Sequence, residues 1–124
     1  MNGRYEVGVV RQLRAVHVMP DDDGPEGKPH AHDYRLEVTV TTPGLDERGM
    51  ALDLLELEAA VDATIAPVRD GDLDRIRSPR FPGVTVEVFA RWVHDGVAAR
   101  IGGREASVRI WEHEGAFAGY SATD

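Results

Sequence analysis

Three histidines stand out, two of them separated by a single residue. His30 and His32 flank Ala31, and His17 lies at the end of the preceding apolar run. On an extended backbone, residues i and i+2 point to the same side, so both imidazoles of His30-Ala31-His32 can reach one ion. If the two strands pair as a hairpin, His17 returns beside them. Three neutral imidazoles with an open fourth position describe a catalytic zinc site. His-x-His alone also fits two polar residues at a loop end, so the third histidine carries much of the weight.

The elements that must position these side chains can be read from the spacing of apolar residues. Tyr5 to His17 reads as a strand, with Tyr5, Val7 and Val9 on one face. Asp33 to Thr42 alternates more cleanly. Tyr34, Leu36, Val38 and Val40 share one face, and Arg35, Glu37, Thr39 and Thr41 the other, before Pro43-Gly44 ends the strand. Asp53 and Glu56 form a helix start signal, followed by Leu54, Leu57, Val61 and Ile65 at helical spacing. Arg69 to Gly83 reads as a polar, Arg-rich loop. Thr85 can cap a second helix whose apolar face holds Phe89, Trp92, Val93 and Val97, with His94 in a solvated position. Gly102-Gly103 breaks the chain. Ser107 to Glu112 and Ala116 to Ser121 read as closing strands. The order strand, strand, helix, helix, strand, strand predicts an α+β domain with helices on one face of an antiparallel sheet. In so short a chain, another subunit is the expected cover for the other face.

Composition narrows the function. The 124 residues suit a single domain, 1–124, and the net charge of −8 disfavours nucleic acid and anionic membranes as partners. With zero cysteines there is no disulfide, thiolate ligand or cysteine nucleophile. The segment Met1 to Val10 has no long apolar core, and no run approaches transmembrane length, so a soluble, cytoplasmic protein is expected. Asp21-Asp22-Asp23-Gly24-Pro25-Glu26-Gly27 is the one compositional oddity, and on its own it reads as a solvated acidic loop.

Taken together, these segments resemble the 6-pyruvoyl-tetrahydropterin synthase and 6-carboxytetrahydropterin synthase family over nearly the whole length. Ala15-Val16-His17 is similar to the family's Ala-Ala-His, and His30-Ala31-His32-Asp33-Tyr34 to its His-Gly-His-Ser/Asn-Tyr/Phe. Gly49-Met50-Ala51-Leu52-Asp53 resembles the lead into the first helix, and Thr85-Val86-Glu87-Val88-Phe89-Ala90 the start of the second. Val108-Arg109-Ile110-Trp111-Glu112, followed by Tyr120, resembles the closing strand. The resemblance implies a tunnelling fold with four antiparallel strands, assembled as a homotrimer or homohexamer with active sites between subunits. It further implies Zn²⁺ on His17, His30 and His32, a pterin-like substrate anchored by Glu112, and Thr85 at the substrate site. A carboxylate suits that anchor because it accepts two N–H bonds from the pterin's 2-amino-4-oxo edge.

The chain departs from the pattern where the family does its chemistry. Glu26 stands at the position of the usual catalytic cysteine, four residues before His30, and Ala31 replaces the middle glycine. The family's Asp-His pair aligns with Arg69-Asp70, and no histidine occurs between His32 and His94. A carboxylate of ordinary pKa, about 4.3 for Glu, is a weak base toward carbon. It is better suited to taking a hydroxyl proton and so to retro-aldol cleavage of the adjacent carbon–carbon bond. A variant group of the family carries glutamate in place of the cysteine and cleaves the side chain to 6-hydroxymethyl-dihydropterin. The expected activity is therefore a zinc-dependent lyase acting on dihydroneopterin triphosphate or a related pterin, with Glu26 as catalytic residue. Asp70 and His113 are further catalytic candidates, and Arg69, Arg75, Arg77 and Arg80 can bind a phosphate-bearing substrate. Two alternatives stay open: a family member serving another small molecule in specialised metabolism, and a non-catalytic zinc- and pterin-binding homologue.

Overall fold

A computed structural model of the chain describes residues 3–122. Its strands are β1 (Tyr5–His17), β2 (His30–Thr42), β3 (Gly71–Asp72), β4 (Glu105–His113) and β5 (Ala116–Ala122). Two helices, α1 (Leu54–Ile65) and α2 (Val86–Ile101), fall between β2 and β4. The sheet runs in the order β3-β1-β2-β4-β5. β1 and β2 form a long antiparallel hairpin, from Tyr5↔Thr42 at one end to His17↔His30 at the other.

Strand alternation divides the sheet into two faces. Val9 and Leu13 of β1, Tyr34, Leu36, Val38 and Val40 of β2, and Ala106, Val108 and Ile110 of β4 all point inward and are buried. Leu57, Val61 and Ile65 of α1 and Phe89, Val93 and Val97 of α2 complete this core. Each large apolar side chain so buried contributes on the order of 1.5–3 kcal/mol relative to exposure. The helices begin where their caps place them. The Asp53 carboxylate accepts from the Leu55 N–H at 2.9 Å, and the Thr85 hydroxyl accepts from the Val88 N–H at 3.1 Å. α2 stops at Gly102, whose φ of 74° a glycine adopts without strain.

Three expectations are corrected. The sheet has five strands rather than four, and it is mixed, because β3 pairs in parallel with β1 through Ala15↔Gly71 and Val16↔Asp72. The Asp70 N–H donates to the Arg14 carbonyl at 2.7 Å and draws the chain onto the edge of β1. The segment 69–83 is also not a plain exposed loop. It holds β3 and a 3₁₀ turn, Leu73–Ile76, that buries Leu73. Finally, His94 is buried, 7% exposed, with its ring 4.8 Å from that of Tyr120. It lies four residues after Ala90 and three before Val97, both in the core, so helical periodicity turns it inward.

The sheet does not close on itself. β3 covers only Ala15 and Val16 of β1, and β5 forms the other edge. This open sheet with both helices on one face is the architecture expected of the tunnelling fold. Among the described residues, no helix is long and apolar enough to cross a membrane.

Candidate metal centre

The hairpin register places His17 directly opposite His30, and His32 opposite Ala15. Their parity is that of Tyr34, Leu36 and Leu13, so all three imidazoles share the inward face. They occupy its end, where the apolar core gives way to a cleft. Ring centroids are 4.5 Å apart for His17 and His30, 4.9 Å for His30 and His32, and 5.4 Å for His17 and His32.

The acidic loop closes over this end. Met19 N–H donates to the Glu26 carbonyl at 2.8 Å, and Asp22 N–H to the Met19 carbonyl at 3.0 Å. The closure needs glycine at 27, since a Cβ there would lie 2.0 Å from the Asp22 carbonyl oxygen. Pro25–Gly27 forms one 3₁₀ turn, which carries the Glu26 carboxylate onto His30 Nε2 and to 3.9 Å from His32 Nε2. One donor atom from each of His17, Glu26, His30 and His32 lies within 4.8 Å of the others. Ligands about 2.0–2.1 Å from a tetrahedral ion sit about 3.3–3.5 Å apart, so a small contraction brings the three imidazoles to ligand spacing and leaves the Glu26 carboxylate beside the fourth position.

The protonation of the rings suits a metal. The Lys28 carbonyl, 2.7 Å from His30 Nδ1, accepts its proton and leaves the Nε2 lone pair facing the cluster. His17 is 3% exposed, and neither of its ring nitrogens has a hydrogen-bond partner among the described residues. Burial first, and then the neighbouring imidazoles of His30 and His32, holds its pKa below the usual histidine value, which keeps it neutral. A buried, neutral, unpartnered imidazole beside two others and a carboxylate fits a bound divalent ion.

The family profile of 6-pyruvoyl tetrahydropterin synthase matches residues 6–123. The chain belongs to the 6-pyruvoyl tetrahydropterin synthase family. The Caenorhabditis elegans 6-pyruvoyl tetrahydropterin synthase superposes with a TM-score of 0.80 at 18% identity, covering 98% of this chain and 97% of that one. The Plasmodium vivax synthase, solved as a catalytic-residue mutant with a glutamate changed to alanine, gives 0.75 at 12% identity over 98% and 99%. An uncharacterised protein from Wolinella succinogenes gives 0.75 at 18% over 97% and 99%. At these identities the structural likeness establishes the fold. No curated protein matches the sequence.

Against the pattern of this family, the remaining candidates divide into two groups. Glu112 ends the inward face of β4, with Oε1 2.9 Å from His32 Nε2. Glu112 and Thr85 line the same cleft of about 740 Å³ as His17 and Glu26, a size that suits a small molecule. Asp70 and His113 are not brought to that cleft within the chain. Asp70 borders a separate hollow with Arg14, Asp33 and Arg69. His113 is exposed beyond a β-bulge, its Nδ1 accepting from the Gly115 N–H at 3.2 Å.

One site residue, Tyr34, and one residue that supports the strand end beside His17, Asp74, escaped the sequence reading. Tyr34, read there as a core residue, places its ring 5.5 Å from His32, and its hydroxyl is buried without a partner among the described residues. Burial first, and then the charges of Glu112 and Glu26, pushes that phenol far above its usual pKa, so it stays a neutral donor. Asp74 accepts from the Val18 N–H at 3.1 Å, and its other oxygen is buried and unpaired among the described residues. The position of Tyr34, two residues after His32, was an available signal. For Asp74 there was none, because its partner lies 56 residues away in sequence.

Proposed function

We propose that this chain is a zinc-dependent lyase that cleaves the hydroxylated side chain of a pterin-like molecule. The observation that carries the reading is the placement of the Glu26 carboxylate against the histidines, at the floor of the cleft that Glu112 borders. His17, His30 and His32 would hold the ion. When bound, zinc acidifies a hydroxyl and stabilises developing negative charge on oxygen.

The chain's own groups supply the rest. Glu112 accepts N–H bonds from the pterin edge and fixes the ring, with Thr85 at the cleft wall. Glu26 takes the proton of the hydroxyl on the second side-chain carbon. The bond between the first and second side-chain carbons then breaks. The second carbon leaves as an aldehyde, and the electron pair passes into the ring's C=N bond. The proton held by Glu26 is returned to the first carbon, leaving a hydroxymethyl group. The glutamate that is a catalytic residue in the P. vivax synthase is a precedent for a catalytic carboxylate within the family.

A second reading, in which the scaffold serves another polyol or keto compound, draws on the commitment of Glu112 Oε1 to His32. Incubating the zinc-loaded protein with dihydropterins and weighing the products distinguishes the two. A hydroxymethyl product with a released aldehyde supports cleavage. No turnover of any pterin by zinc-loaded protein overturns the first reading.

We also propose a cytoplasmic homotrimer or homohexamer. The unpaired edges of β1 and β5 would join between subunits, and the exposed Phe117 of β5 would be covered. A monomeric mass by light scattering at micromolar concentration overturns it.

A further inference from the structure

We infer that Tyr34 and Asp74 form one hydrogen-bonded link, directly or across a single buried water, that holds the metal-binding histidines in place from behind. This rests on the reading of His17, His30 and His32 as metal ligands, and not on the identity of the substrate. Among the described residues, six buried side-chain nitrogen and oxygen atoms have no hydrogen-bond partner. Four are imidazole nitrogens of the three histidines, two of them on His17. A bound ion takes one nitrogen from each ring. The Val84 carbonyl lies beside the His17 ring, beyond full hydrogen-bond geometry, as an acceptor for its remaining N–H. The two atoms left are the Tyr34 hydroxyl, a donor, and Asp74 Oδ1, an acceptor. Each is costly to bury alone, and each is what the other lacks.

Both residues lie behind the histidines, inside a single chain. Tyr34 is 1% exposed, on the same face of β2 as His32, with its ring 6.4 Å from His17 and 5.3 Å from Phe89 of α2. Asp74 comes from the 3₁₀ turn Leu73–Ile76, and its Oδ2 already accepts from the N–H of Val18, the residue after His17. The Asp74 charge is felt at both rings. After burial, Glu112 and Glu26, it pushes the Tyr34 phenol up, and it opposes the burial and neighbouring imidazoles that hold His17 down. A link between the two therefore joins the strand that carries His32 to the turn that grips the end of the strand carrying His17. The imidazoles are then held near their spacing before an ion arrives, which is what an outer shell contributes to metal affinity. Tyr34 and Asp74 act through the histidines, so they are positioning residues.

Two measurements test the inference. In the first, zinc affinity of the intact protein is measured by competition with a chromophoric chelator, alongside urea unfolding of the metal-free form. Tyr34→Phe should weaken zinc binding about 10- to 100-fold, the range for loss of an outer-shell partner. In an Asp74→Ala background the same change should have no further effect, because the link is already gone. Unchanged zinc affinity in Tyr34→Phe, or an equal loss in both backgrounds, overturns the inference. A loss confined to the unfolding of the metal-free form also overturns it, since that marks packing alone. The second needs no variant, so it stands even if Asp74→Ala does not fold. In a crystal structure of the wild-type protein grown with zinc, the Tyr34 oxygen should lie within about 3.2 Å of Asp74 Oδ1, or one water should lie that close to both. A Tyr34 hydroxyl bonded to another group instead overturns the inference. Wild-type protein that binds no zinc, with the link in place, overturns the metal reading while supporting the link itself.

Discussion

The loop between β1 and β2 and the segment after α1 both carry acids, and both lean on the same end of β1, yet they deliver those acids to different places. The first folds back through the Met19–Glu26 backbone bond and carries Glu26 over the inward face, onto His30. The second is caught by the Arg14 carbonyl and extends along the strand edge as β3. There Asp70, at a φ of 56°, borders a hollow with Arg14 and Asp33, which are themselves paired at 3.1 Å. Adjacent residues of a strand face opposite ways, so His17 looks into the core and Arg14 away from it. A carboxylate's role in this fold thus depends on which face its loop closes over, more than on how near it lies along the chain.

The largest effect expected from breaking this contrast is on the metal. Replacing His30 and His32 together by alanine should reduce bound zinc from one per chain to background, as measured on the purified protein, because two of the three imidazole donors are gone. Asp70→Asn should retain the full complement. Zinc retained in the double variant would remove the inward face from metal binding altogether.

Next comes turnover. Glu26→Gln keeps the shape and loses the base, which costs about 10²- to 10⁴-fold in kcat while zinc stays bound. Asp70→Asn should leave kcat unchanged. If the two variants behave in the opposite way, the acid that matters reaches the cleft from a neighbouring subunit, and the contrast drawn within one chain fails for the assembly.

Glycines sharpen the comparison in stability. A methyl on Gly27 would press against the Asp22 carbonyl, whereas one on Gly71 would meet the Val68 carbonyl at 3.7 Å, an ordinary contact. Gly27→Ala should cost about 1–3 kcal/mol in urea unfolding, as overpacking does. Gly71→Ala should be stabilising by about 0.4–1 kcal/mol through the unfolded chain.

The smallest effect lies midway along β1, away from both loops. Arg11 bonds the carboxylate of Asp62 at 2.8 Å, and that hydrogen bond chiefly holds Asp62 below its usual pKa of 3.8. A depressed folded pKa contributes stability that is present above the unfolded value and lost as pH falls through the folded one. Because Asp62 is half exposed, Asp62→Asn should cost no more than about 1 kcal/mol at pH 7. The difference from wild type should fade below pH 3.8. A cost that persists in acid would assign it to packing of α1 on β1.

Much of this was open to reading in the chain itself. Alternation in Tyr34-Arg35-Leu36-Glu37-Val38 requires a strand with one buried face, and β2 runs through it. The helical recurrence of Leu57, Val61 and Ile65, and of Phe89, Val93 and Val97, predicts both helices that cover it. The same parity puts His30, His32 and Tyr34 on one side, so most of the metal cluster was legible from a spacing of two. The reading stopped where short polar segments take their conformation from distant partners. β3 is two residues held by the edge of β1, and Asp74 finds its donor 56 residues earlier, so neither leaves a periodic trace.

What the sequence by itself determined is therefore the set of periodicities: which residues face the core, where the helices start, and that three imidazoles can share a side. Only the tertiary structure decided that the acidic loop closes onto them, that Glu112 reaches His32, and that Arg69 and Arg75 are held by backbone carbonyls. Periodic burial is a local property, because each side chain's direction follows from the backbone repeat. Convergence of loops is a closure problem, settled by single backbone bonds and by what a missing Cβ permits.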